Sequence, residues 1–331
     1  MTPALNGSNA RPAPSGTRDV LPDEMRELRE MTRVMVDLLD NAGYGEVRTP
    51  TLEYERAMAG AELGPSAAYR LIDEHGDALV LRSDMTVPIV RVAVTRYETD
   101  DLPLRFSYLA RAWRRVKPRS GEAREILQLG AELIGSEPID AAAELLALCG
   151  EVLSSAGLAD WQIGLGDARI LGELLEASGA SDADSRALLE AVRDQDLVTV
   201  DALAKELGVP QAATIARTRI NGDDLEGFDP VGIGINPDSA AWSDLTTVVG
   251  ALSPEFRTRV VLDLGLAPKI DYYDGIVFEA YDPAIGRALG GGGSYDALMR
   301  AFGSSASGFG FALDTELVHA AVAGEERGEG S

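Results

Sequence analysis

The side chains that most often carry chemistry are sparse in this chain. It holds two histidines, His75 and His319, and one cysteine, Cys149. A Ser-His-Asp or Cys-His relay needs a histidine set between a nucleophile and an orienting carboxylate. His75 lies in Asp73-Glu74-His75-Gly76-Asp77, the composition of a tight turn, and His319 lies in an apolar, helix-like stretch. Both read as structural. Zinc sites draw on clustered His, Cys and carboxylates, and a single cysteine excludes a thiolate cluster and an internal disulfide. No metal and no cofactor are therefore expected. Two further patterns bear on phosphate. Gly290-Gly291-Gly292-Gly293 runs into Ser294-Tyr295-Asp296 with no lysine, so it is not a phosphate-binding P-loop. Arg111, Arg114, Arg115, Lys117, Arg119 and Arg124 form the one dense cationic run.

That run sits in a strongly acidic chain, with a formal net charge of −24. Nucleic-acid binding depends on Lys and Arg neutralising phosphates, so tRNA is not expected as a partner. The 331 residues suffice for one large domain or two modest ones, and 45% hydrophobic content allows a sizeable core. No apolar run approaches the ~20 residues of a membrane helix. Residues 1–15 are rich in Pro, Ala, Asn and Ser, without a basic start and apolar stretch. They are read as a mobile tail rather than a signal peptide, and a cytoplasmic location is expected.

The elements that must position any site follow from periodicity. Residues 23–42 place Met25, Leu28, Met31, Met35, Leu38, Leu39 and Ala42 at spacings of three and four, between Pro22 and Gly43. This is an amphipathic helix with the usual end residues. Residues 44–49 alternate as a strand stopped by Pro50. Residues 77–81 read as a hairpin arm after the His75 turn, and 84–95 as a helix with Asp84 or Thr86 near its cap. Strands at 104–109 and 125–134 flank the cationic run. A helix follows at 140–155 and a short strand at 161–165. Residues 167–218 are rich in Ala, Leu, Glu and Asp and helical in pattern, with Leu188, Leu189, Val192 and Leu197 read as core. Residues 221–239 read as irregular. Strands return at 259–263, 276–281, 287–291 and 308–313. Strands, then helices, then strands again indicate an α+β fold, an antiparallel sheet flanked by helices with a helical insertion. Residues 16–166 and 251–331 would form the core domain and 167–250 the insertion.

Several segments, in order, resemble class II histidyl-tRNA synthetases. Gly16-Thr17-Arg18-Asp19-Val20-Leu21-Pro22 resembles the family's opening, and Tyr44-Gly45-Glu46-Val47-Arg48-Thr49-Pro50 its motif 1. Leu81-Arg82-Ser83-Asp84-Met85-Thr86 is similar to its Leu-Arg-Pro-Glu-Gly-Thr. Trp113-Arg114-Arg115-Val116-Lys117-Pro118 fills the motif 2 slot, and Gln128-Leu129-Gly130-Ala131-Glu132 resembles Gln-x-Gly-x-Glu. Asp271-Tyr272-Tyr273 with Val277-Phe278-Glu279 resembles the histidine-specific segment, and Gly292-Gly293-Ser294-Tyr295-Asp296 resembles Gly-Gly-Arg-Tyr-Asp. No single match is specific, but their succession is.

The resemblance implies a class II aminoacyl-tRNA synthetase-like fold and a retained amino-acid pocket. Asp84 and Thr86 would accept from the ammonium of a bound histidine, and Gln128 would contact its backbone. Arg114 would meet its carboxylate, while Glu132, Tyr272 and Tyr273 would surround the imidazole. The family's adenylation cations are missing: Pro268, followed by Lys269-Ile270, fills the catalytic arginine slot, Ser294 replaces another arginine, and Leu317 ends motif 3. Val116 replaces the motif 2 glutamate. Each such cation stabilises charge on the reacting phosphates, so no catalytic residues are expected. No anticodon-binding domain is expected after motif 3.

With Asp-Met-Thr in place of Glu-Gly-Thr, the chain looks more like the family's regulatory branch, the paralogues that serve short-form ATP phosphoribosyltransferases. That resemblance implies a non-catalytic subunit paired with the short-form catalytic subunit in a hetero-oligomer, and self-association as a dimer through motif 1. It implies a part in the first step of histidine biosynthesis and in feedback inhibition, with histidine as ligand. Two other readings compete. One is a divergent ATP-dependent aminoacyl-adenylating ligase, in which Lys269 would partly substitute for the lost arginine. The other is a tRNA-binding module, which the acidic charge opposes.

Overall fold

A computed structural model describes residues 13–58, 68–116, 122–267 and 272–328. Residues 1–12 of the expected tail, Lys117, Pro118 and Arg119, and Pro268, Lys269, Ile270 and Asp271 lie outside the described residues.

Twelve strands are described: β1 (Gly45–Glu46), β2 (Leu52–Tyr54), β3 (Tyr69–Ile72), β4 (Ala78–Leu81), β5 (Leu104–Trp113), β6 (Glu125–Ile134), β7 (Gln162–Asp167), β8 (Arg219–Asn221), β9 (Val260–Asp263), β10 (Ile276–Asp282), β11 (Ile285–Ser294) and β12 (Gly308–Asp314). Nine of them form one sheet, ordered β1-β5-β6-β12-β11-β10-β7-β9-β8, and β2-β4-β3 form a smaller one. The large sheet is antiparallel from β5 through β7, with β1 and β9 added in parallel.

Alternation along each strand gives the large sheet two faces of different character. One face carries Leu129, Ala131 and Leu133 of β6, Phe309, Phe311 and Leu313 of β12 and Phe278 of β10. Helices Pro22–Asn41, Pro138–Ser155 and Ala240–Ala251 pack there and bury Met35, Leu39, Leu145, Leu146, Leu245 and Val248. Each such side chain contributes about 1.5–3 kcal/mol by leaving water. The other face carries Gln128, Gly130 and Glu132. It lies under a second cluster built from Met85, Val87, Ile89, Tyr108, Tyr295, Leu298 and Met299, supplied partly by helices Thr86–Arg96 and Asp296–Ala301.

Strand β5 runs on through Trp113 rather than ending at Leu109, helix Ala240–Ala251 forms where no element was expected, and three further differences bear on the site, the sheet or the helix-rich block. The strand expected over 44–49 is only Gly45–Glu46. Val47 still donates to Ser107 O at 2.9 Å, but beyond it the carbonyls of Thr49 and Pro50 accept from the buried Arg82 guanidinium at 2.8 and 3.1 Å. The side chain takes the bonds that a strand neighbour would have taken. Within 167–250, β8 pairs antiparallel with β9 and ends the large sheet, so this helix-rich block is tied into it. Leu188 and Val192 are buried as expected, whereas Leu197 is 40% exposed. It opens a new helix, Leu197–Glu206, just after Gln195 takes a left-handed conformation (φ 55°), which breaks the apolar stripe.

His75 stands exposed in the β3–β4 turn, and His319 Nε2 lies 3.0 Å from Glu27 Oε2. Among the described residues, no helix is long and apolar enough to cross a membrane, and no group of three or more His, Cys, Asp or Glu could hold a metal.

Candidate functional site

The site is built on the face of β6 turned away from the main core. Glu132 pairs across β6 and β12 with Gly310, and a Cβ at 310 would overlap Glu132 Oε2. Gly130 faces Tyr108 of β5, and a Cβ there would collide with the phenol ring. The two missing side chains leave the space that a carboxylate and a phenol occupy.

Glu132 is 0% exposed. Its Oε1 accepts from Thr86 Oγ1 at 2.8 Å and from the Tyr108 hydroxyl at 3.3 Å. Tyr295 Oη stands close enough to favour ionisation of Glu132, yet neither that hydroxyl nor Glu132 Oε2 completes a hydrogen bond. Burial is the largest influence on this carboxyl and, with the like charge of Asp84, pushes its pKa up to about 8.

Thr86 opens helix Thr86–Arg96, and Asp84 Oδ1 accepts from Val87 N at 3.2 Å in its first turn. Asp84 is buried, which raises its pKa, with Arg114 opposing the rise, and its Oδ2 has no partner. The loop carrying both residues is held by Arg82, which donates to Arg111 O at 2.8 Å as well as to Thr49 and Pro50. Arg114 is half-buried at the end of β5, and its Nε donates to Ser83 O at 2.9 Å. Gln128 shares the Glu132 face of β6, and its Oε1 is buried without a partner.

Tyr272 and Tyr273 lie just before β10 rather than within a strand. Their rings meet edge to face at 5.0 Å, and Tyr272 meets Tyr295 the same way at 6.4 Å. Burial raises the pKa of all three hydroxyls, as it does that of Tyr108, so they remain neutral through the physiological range.

The expected site residues therefore fall into linked groups. Thr86 bonds Glu132 directly, while Asp84, Arg114, Glu132 and Tyr273 act on one another by charge. Gln128 joins them only by sharing the face of β6. Tyr108, Tyr295 and Gly310 belong to the same cluster and were missed as site residues. Tyr295 belongs to Gly292-Gly293-Ser294-Tyr295-Asp296, while Tyr108 and Gly310 become visible only through strand register.

Val116 follows β5, Ser294 ends β11, and Leu317 packs against the main core from helix Thr315–Glu326. None of these three brings a charge.

Asp84 Oδ2, Gln128 Oε1, Glu132 Oε2 and Tyr295 Oη are thus unmet in one neighbourhood. An unmet buried polar atom costs about 1–3 kcal/mol, so a ligand bearing several donors would recover much of that cost. With Arg114 at the rim, the arrangement suits a small zwitterion with a polar ring. Surface hollows of about 590 Å³ at residues 201–218 and about 440 Å³ at residues 222–257 lie in the helix-rich block and alongside it. They lack this convergence of unmet acceptors, so the chemistry favours the buried cluster over these hollows.

Comparison with known proteins gives the same neighbourhood a context. The family model described as histidyl-tRNA synthetase matches residues 16–318. An ATP phosphoribosyltransferase regulatory subunit from Moorella thermoacetica is 34% identical, over 92% of this chain and 80% of its own length. A histidine–tRNA ligase from Pyrococcus abyssi is 32% identical, over 91% of this chain and 73% of its own. A crystal structure described as an ATP phosphoribosyltransferase regulatory subunit/histidyl-tRNA synthetase from Bacillus halodurans C superposes with a TM-score of 0.84 at 27% identity, covering 97% of this chain and 84% of that one.

Proposed function

The chain belongs to the histidyl-tRNA synthetase family, and from that membership we propose that it acts as the non-catalytic regulatory subunit of an ATP phosphoribosyltransferase. Its fold is the family's α+β arrangement, a large sheet flanked by helices. Residues 16–166 and 251–331 form the synthetase-like domain, and 167–250 form a mainly helical insertion. The partner is the short-form catalytic subunit, in the cytoplasm, at the first step of histidine biosynthesis.

The observation that carries this reading is the buried, acceptor-rich cluster around Glu132. In it, Asp84 and Thr86 receive the ammonium of histidine and Gln128 contacts its backbone. Arg114 pairs with its carboxylate, and Glu132, Tyr272 and Tyr273 enclose the imidazole. The absence of charge at Val116, Ser294 and Leu317 supports a pocket that binds without adenylating. Occupancy regulates the complex if histidine binds its assembly states with different affinity.

Self-association as a dimer is part of the same proposal. In the small sheet, Leu52, Tyr54, Tyr69, Leu71, Leu79 and Leu81 share one face by register. Leu52, Tyr54 and Leu71 remain 45%, 44% and 42% exposed. A contiguous apolar face of this kind favours a partner surface, here a second copy.

The second reading, a divergent aminoacyl-adenylating ligase, draws on the similarity to the Pyrococcus abyssi ligase. Activity of the short-form catalytic chain with and without this protein tests the first reading. Histidine-dependent ATP–pyrophosphate exchange tests the second.

A further inference from the structure

Glu132 holds an unusual position for an acid. Its Oε1 accepts from the neutral hydroxyls of Thr86 and Tyr108, and the neutral Tyr295 hydroxyl lies near without completing a hydrogen bond to Oε2; all three favour ionisation, and complete burial outweighs them. Among the described residues, the elements packed around it present Asp84, Tyr108, Tyr272, Tyr273 and Tyr295 as the groups that bear on its charge. The nearby cation, Arg114, is tied to Ser83 O, and its charge bears on Asp84 and Tyr273. A carboxylate in a dry site with a like charge for company is strongly disfavoured, and such a group keeps its proton.

We infer that, before ligand binds, Glu132 is the neutral acid and supplies the proton of a carboxyl–ring hydrogen bond, so that the site selects an amino acid whose side chain is a neutral, proton-accepting ring. This rests on the reading of the cluster as a histidine pocket. The protein brings the proton and the ligand brings the lone pair. One proton serves the pair whether it settles on Oε2 or on the ring nitrogen, and nothing else is consumed or released. A lysine or arginine side chain would force Glu132 to ionise, and a phenylalanine ring would offer no acceptor.

The consequence is a pH window. Imidazole ordinarily titrates near ~6.5, and burial moves Glu132 to about 8. Between these values the pair binds without proton exchange. Below the window the ring arrives protonated and one proton must leave, so affinity falls as pH drops. Above it Glu132 has lost its proton and one must be taken up, so affinity falls as pH rises. The tyrosines stay neutral across this range. Asp84 faces the ammonium, and comparison with a Glu132 variant separates its contribution.

The test is calorimetric titration of L-histidine into the full chain in two buffers of different ionisation heat, for the wild type and Glu132→Gln. At about pH 7.2 the two proteins should exchange the same number of protons, and at about pH 9 the wild type should take up close to one more, whereas equal exchange at both values would mean that an ionised Glu132 accepts the ring's own N–H and would overturn the inference. Uptake of close to one extra proton by the wild type at the lower pH would mean an ionised Glu132 and would overturn the inference. Carbon-13 NMR of glutamate-labelled, ligand-free protein gives an independent answer, with the Glu132 carboxyl identified by its loss in the variant. Titration near 8 supports the inference, whereas titration near the ordinary ~4.3 overturns it. Should the variant fail to fold, the wild-type carboxyl spectrum still decides, by whether a buried glutamate titrates far above the rest. Absence of any heat with histidine would instead count against the histidine-pocket reading, and the NMR result would stand apart from it.

Discussion

Gly310 lies directly across the β6–β12 pairing from Glu132, and the space its missing side chain leaves is filled by the Glu132 carboxylate. Gly310→Ala should push that carboxylate off Thr86 and Tyr108. Overpacking of this kind typically costs about 1–3 kcal/mol. Urea unfolding should show that loss, and calorimetry should show histidine affinity reduced about tenfold or more, as loss of one well-placed contact worth ~1.4 kcal/mol would give. Unchanged binding would separate the 310 position from the pocket.

Burial of Glu132 also predicts how stability depends on pH. Its folded pKa is raised to about 8, so the stabilisation from holding the proton is full below the unfolded value near ~4.3. It is lost progressively as pH rises to about 8 and is gone above that. Relative to Glu132→Gln, the wild type should therefore lose stability between those limits, in total on the order of a few kcal/mol. Unfolding free energies of both proteins at acid, neutral and alkaline pH measure this. A constant difference would mean that Glu132 titrates alike in the folded and unfolded chains.

Arg82 is a hub rather than a ligand contact. It is buried, and it satisfies the carbonyls of Thr49, Pro50 and Arg111 at 2.8, 3.1 and 2.8 Å. Arg82→Met should cost about 3 kcal/mol or more, because hydrogen bonds from a charged donor are each worth about 1.5–3 kcal/mol. Lysine should rescue little, since it lacks the forked donor geometry. A fall in melting temperature with both substitutions is the expected readout, and near-wild-type stability of the lysine variant would contradict it.

The exposed face of the small sheet gives a surface prediction. On the proposed dimer, Tyr54→Glu combined with Leu71→Glu should shift the protein to monomer by analytical ultracentrifugation, with little change in melting temperature. An unchanged dimer would move the self-association surface elsewhere.

Much of this architecture was legible in the chain because it is written locally. The stripe from Met25 to Leu39 marks its helix and β6 declares itself over its whole length, whereas β5 does so only to Leu109, because its last residues, Arg111 among them, read as part of the cationic run. The pocket was legible only in part. Asp84, Thr86, Gln128 and Glu132 stand in short motifs, but the tie from Tyr108 to Glu132 joins neighbouring strands, and the need for glycine at 310 arises from register with β6. Register is a tertiary fact that a linear pattern does not carry. The same limit hid β8, whose three residues are too few to alternate visibly, and shortened β1, where a distant arginine claims the carbonyls of Thr49 and Pro50.

Regulation of a catalytic partner is the function proposed for this protein. The most direct test is the initial rate of a purified short-form ATP phosphoribosyltransferase, measured alone, with this protein, and with this protein plus histidine. The catalytic chain should be weakly active alone, markedly more active with this chain added, and suppressed again by histidine. A catalytic chain equally active with and without this protein would contradict it.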